Sequence, residues 1–375
     1  MNMNMSPLSK FDGLEIPAAA DMHVHLRDGK MMEMVVPTIR MGGVNTVYVM
    51  PNLVPPITTV SAALAYKERL EAIDPKVEYL MTLYLHESIT PDTVREAKKA
   101  GIMGIKSYPA GVTTNSSSGV LSYEPFYPVF SAMQEEGLIL NLHGECPSDH
   151  QKDITILNAE ASFLPTLQSI HQAFPTLKIV LEHCTTAAAI ATVQKCGPSV
   201  VGTITAHHLS LTIDQWADDA FHFCKPVAKL PSDRTALLLA ASSHSDKFFL
   251  GTDSAPHDIA AKKGGVGKTA AGVFTQAHAV GHVLTALEQG AEMGVLRAED
   301  ITVEILEGFL GKRGRAFYGV EEPMGEDGAK GKGKGNGESI ILKRGEEIVR
   351  ASFKGDGVEV VPFWRGQRIW SVLWK

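Results

Sequence analysis

Eight short apolar or β-branched runs, at 19–25, 45–50, 78–84, 102–106, 138–143, 178–183, 200–205 and 247–253, recur along the first two-thirds of this 375-residue chain, each ending near a polar residue. Stretches of helical character lie between them at 31–41, 61–72, 91–100, 123–136, 158–174, 186–195 and 232–243. Strand and helix in regular alternation imply a parallel sheet. Eight such units in about 250 residues match an α/β fold of the closed (β/α)8, TIM-type barrel kind. In that architecture the carboxyl ends of all strands share one rim, where catalytic groups of barrel enzymes sit. His25, Lys106, His143, His183 and Asp253 end strands one, four, five, six and eight, so residues more than two hundred positions apart can meet around one centre.

The first strand carries His23 and His25 one residue apart, and side chains two apart on a strand share a face, with Val24 and Leu26 turned the other way. Two converging imidazoles suit a metal, although two ordinary, partly buried histidines fit the pair as well. The further histidines and Asp253 at later strand ends favour the metal. Zinc accepts imidazole nitrogen and carboxylate oxygen, and a catalytic site keeps a position open for water, whose pKa the metal lowers to about 7. Lys106 stands apart, because an ammonium repels a cation. It is either a salt-bridging lysine at the barrel mouth or, desolvated and neutral, an amine able to add carbon dioxide and become an anionic carbamate ligand.

With 44% hydrophobic and 21% charged residues the chain reads as an ordinary globular protein that can bury a large core. No apolar run is long enough to cross a bilayer and residues 1–11 lack the apolar core of a secretory signal, so no membrane association and a cytoplasmic location are expected. Cys146, Cys184, Cys196 and Cys224 are scattered without paired spacing and are expected as reduced thiols, not ligands. A net charge of −7 gives no pull toward nucleic acid, which leaves a small-molecule substrate held by local charges. Three regions are expected: a barrel over 1–320, a Gly/Lys-rich flexible loop over 321–338, and a small β-rich C-terminal appendage over 339–375 packed on the barrel. Helices are also expected at 275–290 and 298–310, and appendage strands at 339–342, 347–353 and 358–364 before an aromatic tail with Trp370 and Trp374.

The runs D-M-H-V-H-L-R-D at 21–28, K-S-Y-P at 106–109, His143, E-H-C at 182–184 and G-T-D-S-A-P-H at 251–257 together resemble the dihydroorotase family of the amidohydrolase superfamily. M-P-N-L at 50–53 and Y-P-A-G-V-T-T-N-S at 108–116 are similar to the shorter, monofunctional type of enterobacteria and fungi. The resemblance implies two zinc ions per subunit, one held by His23, His25 and Asp253 and the other by His143 and His183, with Lys106 as N6-carboxylysine and a hydroxide bridging them. It implies reversible cyclisation of N-carbamoyl-L-aspartate to (S)-dihydroorotate in pyrimidine synthesis, with Asp253 also the general acid and base, and a homodimer. Arg27, Asn52 and His257 are then expected to hold the substrate carboxylate, and the backbone of Lys225 and Ala271 the ring. Arg27 also qualifies on its own, two residues past His25, as a planar fork suited to a carboxylate. For Asn52 a turn role after Pro51 fits as well. Thr113 and Thr114 belong to a loop that either closes over substrate or is plainly mobile.

The same residues admit rival readings. The run K-G-G-V-G-K-T at 263–269 is similar to a variant phosphate-binding loop, but it does not directly follow a strand, so a glycine-rich loop over the barrel mouth is the better reading. A hydantoinase-like enzyme lacks need of the carboxylate clamp that Arg27 and His257 offer, and an inactive scaffold has no need of the complete ligand set. His207 and His208, adjacent after strand seven, are expected not to be ligands because neighbours on a strand point apart.

Overall fold

The computed structural model describes residues 6–264, 269–320 and 337–375. In chain order its strands are β1 (Glu15–Pro17), β2 (Ala19–Val24), β3 (Val44–Val49), β4 (Glu78–Tyr84), β5 (Gly104–Ser107), β6 (Ile139–Leu142), β7 (Ile179–Leu181), β8 (Val200–Ile204), β9 (Phe248–Leu250), β10 (Ser339–Ile348), β11 (Phe353–Gly355), β12 (Val358–Val360) and β13 (Arg368–Trp374). The run β2 to β9 pairs each strand with its sequence neighbour, all parallel, with helices in the crossovers. This is the (β/α)8 barrel that the alternation implies.

The seam between first and last barrel strands is closed by the segment after β9. The Asp253 N–H donates to His23 O at 2.9 Å and the His25 N–H to Ser254 O at 3.0 Å. Gly251 permits this approach: a Cβ there would stand 2.8 Å from Thr203 and 3.0 Å from the Cβ of His23. Barrel closure and assembly of the site are therefore one event.

Apolar residues fill two layers. Met22, Tyr48, Met50, Val180 and Phe249 pack inside the barrel, and the helix Arg313–Tyr318 stops its lower mouth with Tyr318. A larger cluster, with Val24, Leu26, Leu83, Leu140 and Leu181, lies between sheet and helices. The predicted helix over 31–41 is two helices, Gly29–Val35 and Thr38–Met41, because Pro37 cannot donate within a continuous helix. The stretch after 298 continues beyond 310 through a π turn, Gly308–Lys312, into Arg313–Tyr318.

The C-terminal strands differ from expectation in their bounds. β10 runs on to Ile348, and the expected aromatic tail is strand β13, which pairs antiparallel with β10. β1, which the apolar pattern leaves unmarked, joins the same sheet on the other edge of β10. The expected strand at 347–353 is not one element: Glu347 and Ile348 end β10 and Phe353 opens β11, which pairs with β12, inside the expected 358–364, as a hairpin. Most of the Gly/Lys-rich run at 321–338 lies outside the described residues, as do four positions of 263–269.

Candidate metal centre and substrate cleft

His23, His25 and Asp253 meet at the rim. Asp253 Oδ1 is 3.3 Å from His23 Nε2 and 3.0 Å from His25 Nε2. The ring of His183 lies 5.2 Å from that of His23 and 4.6 Å from that of His143. Lys106 is fully buried, its Nζ without a hydrogen-bond partner and 5.3 Å from the Tyr108 ring centre. All six residues that sequence reasoning selected as ligands are thus gathered at one end of the barrel.

Not all of them reach it by strand alternation. The register of β2 against β3 shifts between Asp21 and Val24, so Met22 and His23 both face inward although they are consecutive. An irregularity of this kind re-aims side chains next to active sites. Arg27, His183 and Asp253 have φ of 62°, 41° and 49°. Non-glycine residues in the left-handed region are uncommon and carry strain of order 1–3 kcal/mol, which the surrounding structure must hold. Arg27 therefore points into the cleft through a left-handed turn beyond the strand, not through the pleat.

Each imidazole is oriented from behind. Glu182 Oε2 lies 2.8 Å from His23 Nδ1, Asn52 Oδ1 is 2.7 Å from His25 Nδ1, and Glu145 Oε2 is 2.7 Å from His143 Nε2. Such carboxylate and amide partners orient the rings, turning His23 Nε2 and His25 Nε2 toward Asp253 Oδ1 at the centre. Glu182 is itself held by Asn141 Nδ2 and Thr203 Oγ1, which donate to it at 2.7 and 2.6 Å. Sequence reasoning gave Glu182, Glu145 and Tyr108 no role. Alternation argues against Glu182 because it adjoins His183, and only the left-handed turn at His183 lets both face the centre.

The electrostatics suit a cation. Burial, with the charges of Arg27 and His23 adding to it, drives the His25 imidazole down to about 4. Burial also lowers His143, and it lowers His183 well below its ordinary range with His143 and Lys106 adding to the effect, so these three rings are neutral donors at neutral pH. Burial would raise the Asp253 carboxyl, but the charge of His23 and hydrogen bonds from His23 and His25 outweigh it and hold the group ionised well below the carboxylate range. Burial brings the Lys106 amine down to about 8, against the pull of Glu182 and Asp253. An orphaned, easily deprotonated amine beside three neutral imidazoles and a carboxylate fits a metal pair bridged by a carbamate.

A cleft of about 380 Å³ opens over this centre, lined also by Arg27, Asn52, Thr113, Thr114, Lys225 and Ala271. Arg27 Nε donates to Pro256 O at 2.9 Å, and its Nη2 is 3.2 Å from His257 Nε2, which in turn is 3.0 Å from Ala271 O. Burial and then Arg27 press His257 down to about 3. Asp28, the neighbouring carboxylate, is paired with Arg69 and not with Arg27. Both ends of the Asn52 amide are engaged, since its Nδ2 donates to Thr114 O at 3.1 Å, so it braces His25 and the 108–116 loop at once.

His207 and His208 lie past the end of β8, where alternation no longer holds, and their rings are 4.3 Å apart with Cys224 beside them. They form a second buried donor group, in which His208 Nε2 and the Cys224 thiol are 3.0 and 3.2 Å from Pro226 O.

The sequence pattern of the amidohydrolase family matches residues 15–301. The probable dihydroorotase of Schizosaccharomyces pombe is 49% identical over 96% of this chain and 99% of its own. The dihydroorotase of Saccharomyces cerevisiae is 43% identical over 96% and 98%, and its crystal structure with 5-fluoroorotic acid superimposes with a TM-score of 0.86 over 96% of this chain and 99% of that one. An L-hydantoinase from Arthrobacter aurescens, with a TM-score of 0.78 at 17% identity over 96% of this chain and 84% of its own, shares the fold. A family pattern spanning most of the barrel, together with near-full-length relatives above 40% identity, means that the chain belongs to the dihydroorotases of the amidohydrolase family.

Proposed function

We propose that the chain catalyses the reversible cyclisation of N-carbamoyl-L-aspartate to (S)-dihydroorotate with loss of water, in pyrimidine synthesis, as a cytoplasmic homodimer. The observation that carries this reading is one cleft holding both a buried set of metal donors and a cationic guanidinium, Arg27, at its edge. Two zinc ions, held by His23, His25 and Asp253 on one side and by His143 and His183 on the other with carbamylated Lys106 between, would supply Lewis acidity and an activated water.

The chain's own residues do the rest. Asp253, ionised at neutral pH, takes the proton of the attacking water in the ring-opening direction and delivers it to the leaving ring nitrogen. In ring closure it removes that proton from the carbamoyl nitrogen and passes it to the departing oxygen. Arg27 grips the carboxylate that does not react, with His257 and Asn52 completing the clamp and the backbone of Lys225 and Ala271 set against the ring. Thr113 and Thr114 exclude water from above.

The test follows dihydroorotate absorbance in the ultraviolet before and after a chelator. Turnover should vanish on chelation and return with zinc. Undiminished turnover in the chelated protein, or turnover of neutral cyclic amides and not of dihydroorotate, would sink the reading. Arg27→Met is expected to weaken carbamoyl-aspartate binding by about 1.5–3 kcal/mol, the worth of a charge-assisted contact. Calorimetric affinity unchanged from wild type removes Arg27 from the clamp.

A further inference from the structure

A second and larger cavity, of about 1730 Å³, adjoins the catalytic cleft. The two share four lining residues, Thr113, Thr114, Lys225 and Ala271, so these form the partition between them. One face of the partition is the 108–116 loop, and the other is the wall made by 223–226 and 270–272.

That wall is rigidly built. Lys262, buried, donates from Nζ to Phe223 O, Ala270 O and Gly272 O at 2.9, 2.9 and 2.8 Å, and the Gly272 N–H donates to Phe223 O at 3.0 Å. The lysine at 262 thus ties together two backbone segments that are far apart in sequence. From this fixed wall Lys225 reaches across and donates from Nζ to Val112 O at 2.8 Å, over a sequence separation of 113. On the far side the loop is held by Asn52, which donates to Thr114 O at 3.1 Å and accepts at its own carbonyl from Asn115 Nδ2 at 2.9 Å. Val112 and Thr114 are therefore pinned from opposite sides, by an ammonium and by the amide that also braces His25.

We propose that Lys225 is a positioning residue for the reaction: its ammonium latches the 108–116 loop to the Lys262-braced wall, closing the partition between the outer cavity and the catalytic cleft. The outer cavity, which Trp216 and Phe223 help to line, is the vestibule through which substrate arrives. Breaking one charge-assisted hydrogen bond opens the route, and remaking it places Thr113 and Thr114 over the bound molecule. The inference rests on the proposed reaction for its kinetic consequence, but the latch itself is a property of the free protein.

Lys225→Met tests it by hydrogen–deuterium exchange of the ligand-free, metal-replete enzyme alongside steady-state kinetics. Amides within 110–117 should exchange at least fivefold faster than in wild type, and kcat/KM for dihydroorotate should fall about tenfold, mainly through KM. Lys225→Arg, which keeps a charged donor, should restore both. If methionine impairs folding, Lys225→Gln takes its place. Unchanged exchange in the variant overturns the latch, whether or not KM moves, and an equal loss in Lys225→Arg overturns it too. Because exchange needs no substrate, a wild-type enzyme without dihydroorotate turnover would refute the proposed reaction and leave the latch measurement standing.

Discussion

An Asp253→Asn protein is expected to fold normally and to lose turnover by a factor of about 10²–10⁴, the usual worth of a positioned general acid and base. The two halves of that expectation come from different atoms of one residue. The backbone at 253 closes the barrel, since its N–H donates to His23 O and its neighbour Ser254 accepts from His25, and neither bond involves the side chain. The φ of 49° that aims the carboxyl inward is one that asparagine tolerates better than most residues. The fold should therefore survive the change with little shift in melting temperature.

The chemistry should not survive it. The carboxylate's Oδ1 is the single atom that both His23 Nε2 and His25 Nε2 approach, and those contacts keep it ionised against its burial. An amide at the same place can neither accept a proton nor offer a charge to a cation. Circular dichroism and calorimetry alongside the dihydroorotate assay separate the two halves. A folded variant with normal activity removes Asp253 from proton transfer, and an unfolded one shows that closure of the barrel needs the carboxylate after all.

The contrast between Asp253 and Glu182 shows what could be read from the chain and what could not. Strand and helix alternation, strand-end polarity and the H-x-H pair were enough to foresee the barrel and to gather His23, His25, Lys106, His143, His183 and Asp253 at its mouth. Those inferences need only the average geometry of a parallel barrel. What stayed hidden depends on departures from that average. The bulge in β2 turns Met22 and His23 the same way, and the left-handed turn at His183 brings Glu182 and His183 to the same centre. His207 and His208 pack together for a related reason, having left the strand before alternation could part them. Glu145 gave no signal, because its partner His143 is two residues away and past the end of β6. Strand β1 was missed since three residues are too few to show a period, and β13 was masked by aromatics that read equally well as a tail.

Lys106→Met should move activity and stability in opposite directions, and this makes it the sharper test of the metal centre. The Lys106 amine sits wholly inside, with no hydrogen-bond acceptor for its Nζ, and burial lowers its pKa to about 8. A buried polar group left unpartnered destabilises a fold by about 1–3 kcal/mol. Methionine has nearly the same length and volume and needs no acceptor, so the chelated variant should be more stable than the chelated wild type by about that amount. The reverse holds once metal is added. Without an amine the proposed carbamate cannot form, so metal content should drop and turnover should fall below detection. Metal should then stabilise wild type by more than the variant, because the stability gained from a ligand that binds the folded state grows with the logarithm of its affinity. Chemical denaturation of both proteins with and without zinc gives all four values. If the chelated variant is instead the weaker of the two, Lys106 has a structural partner and is not an amine held in reserve for carbon dioxide.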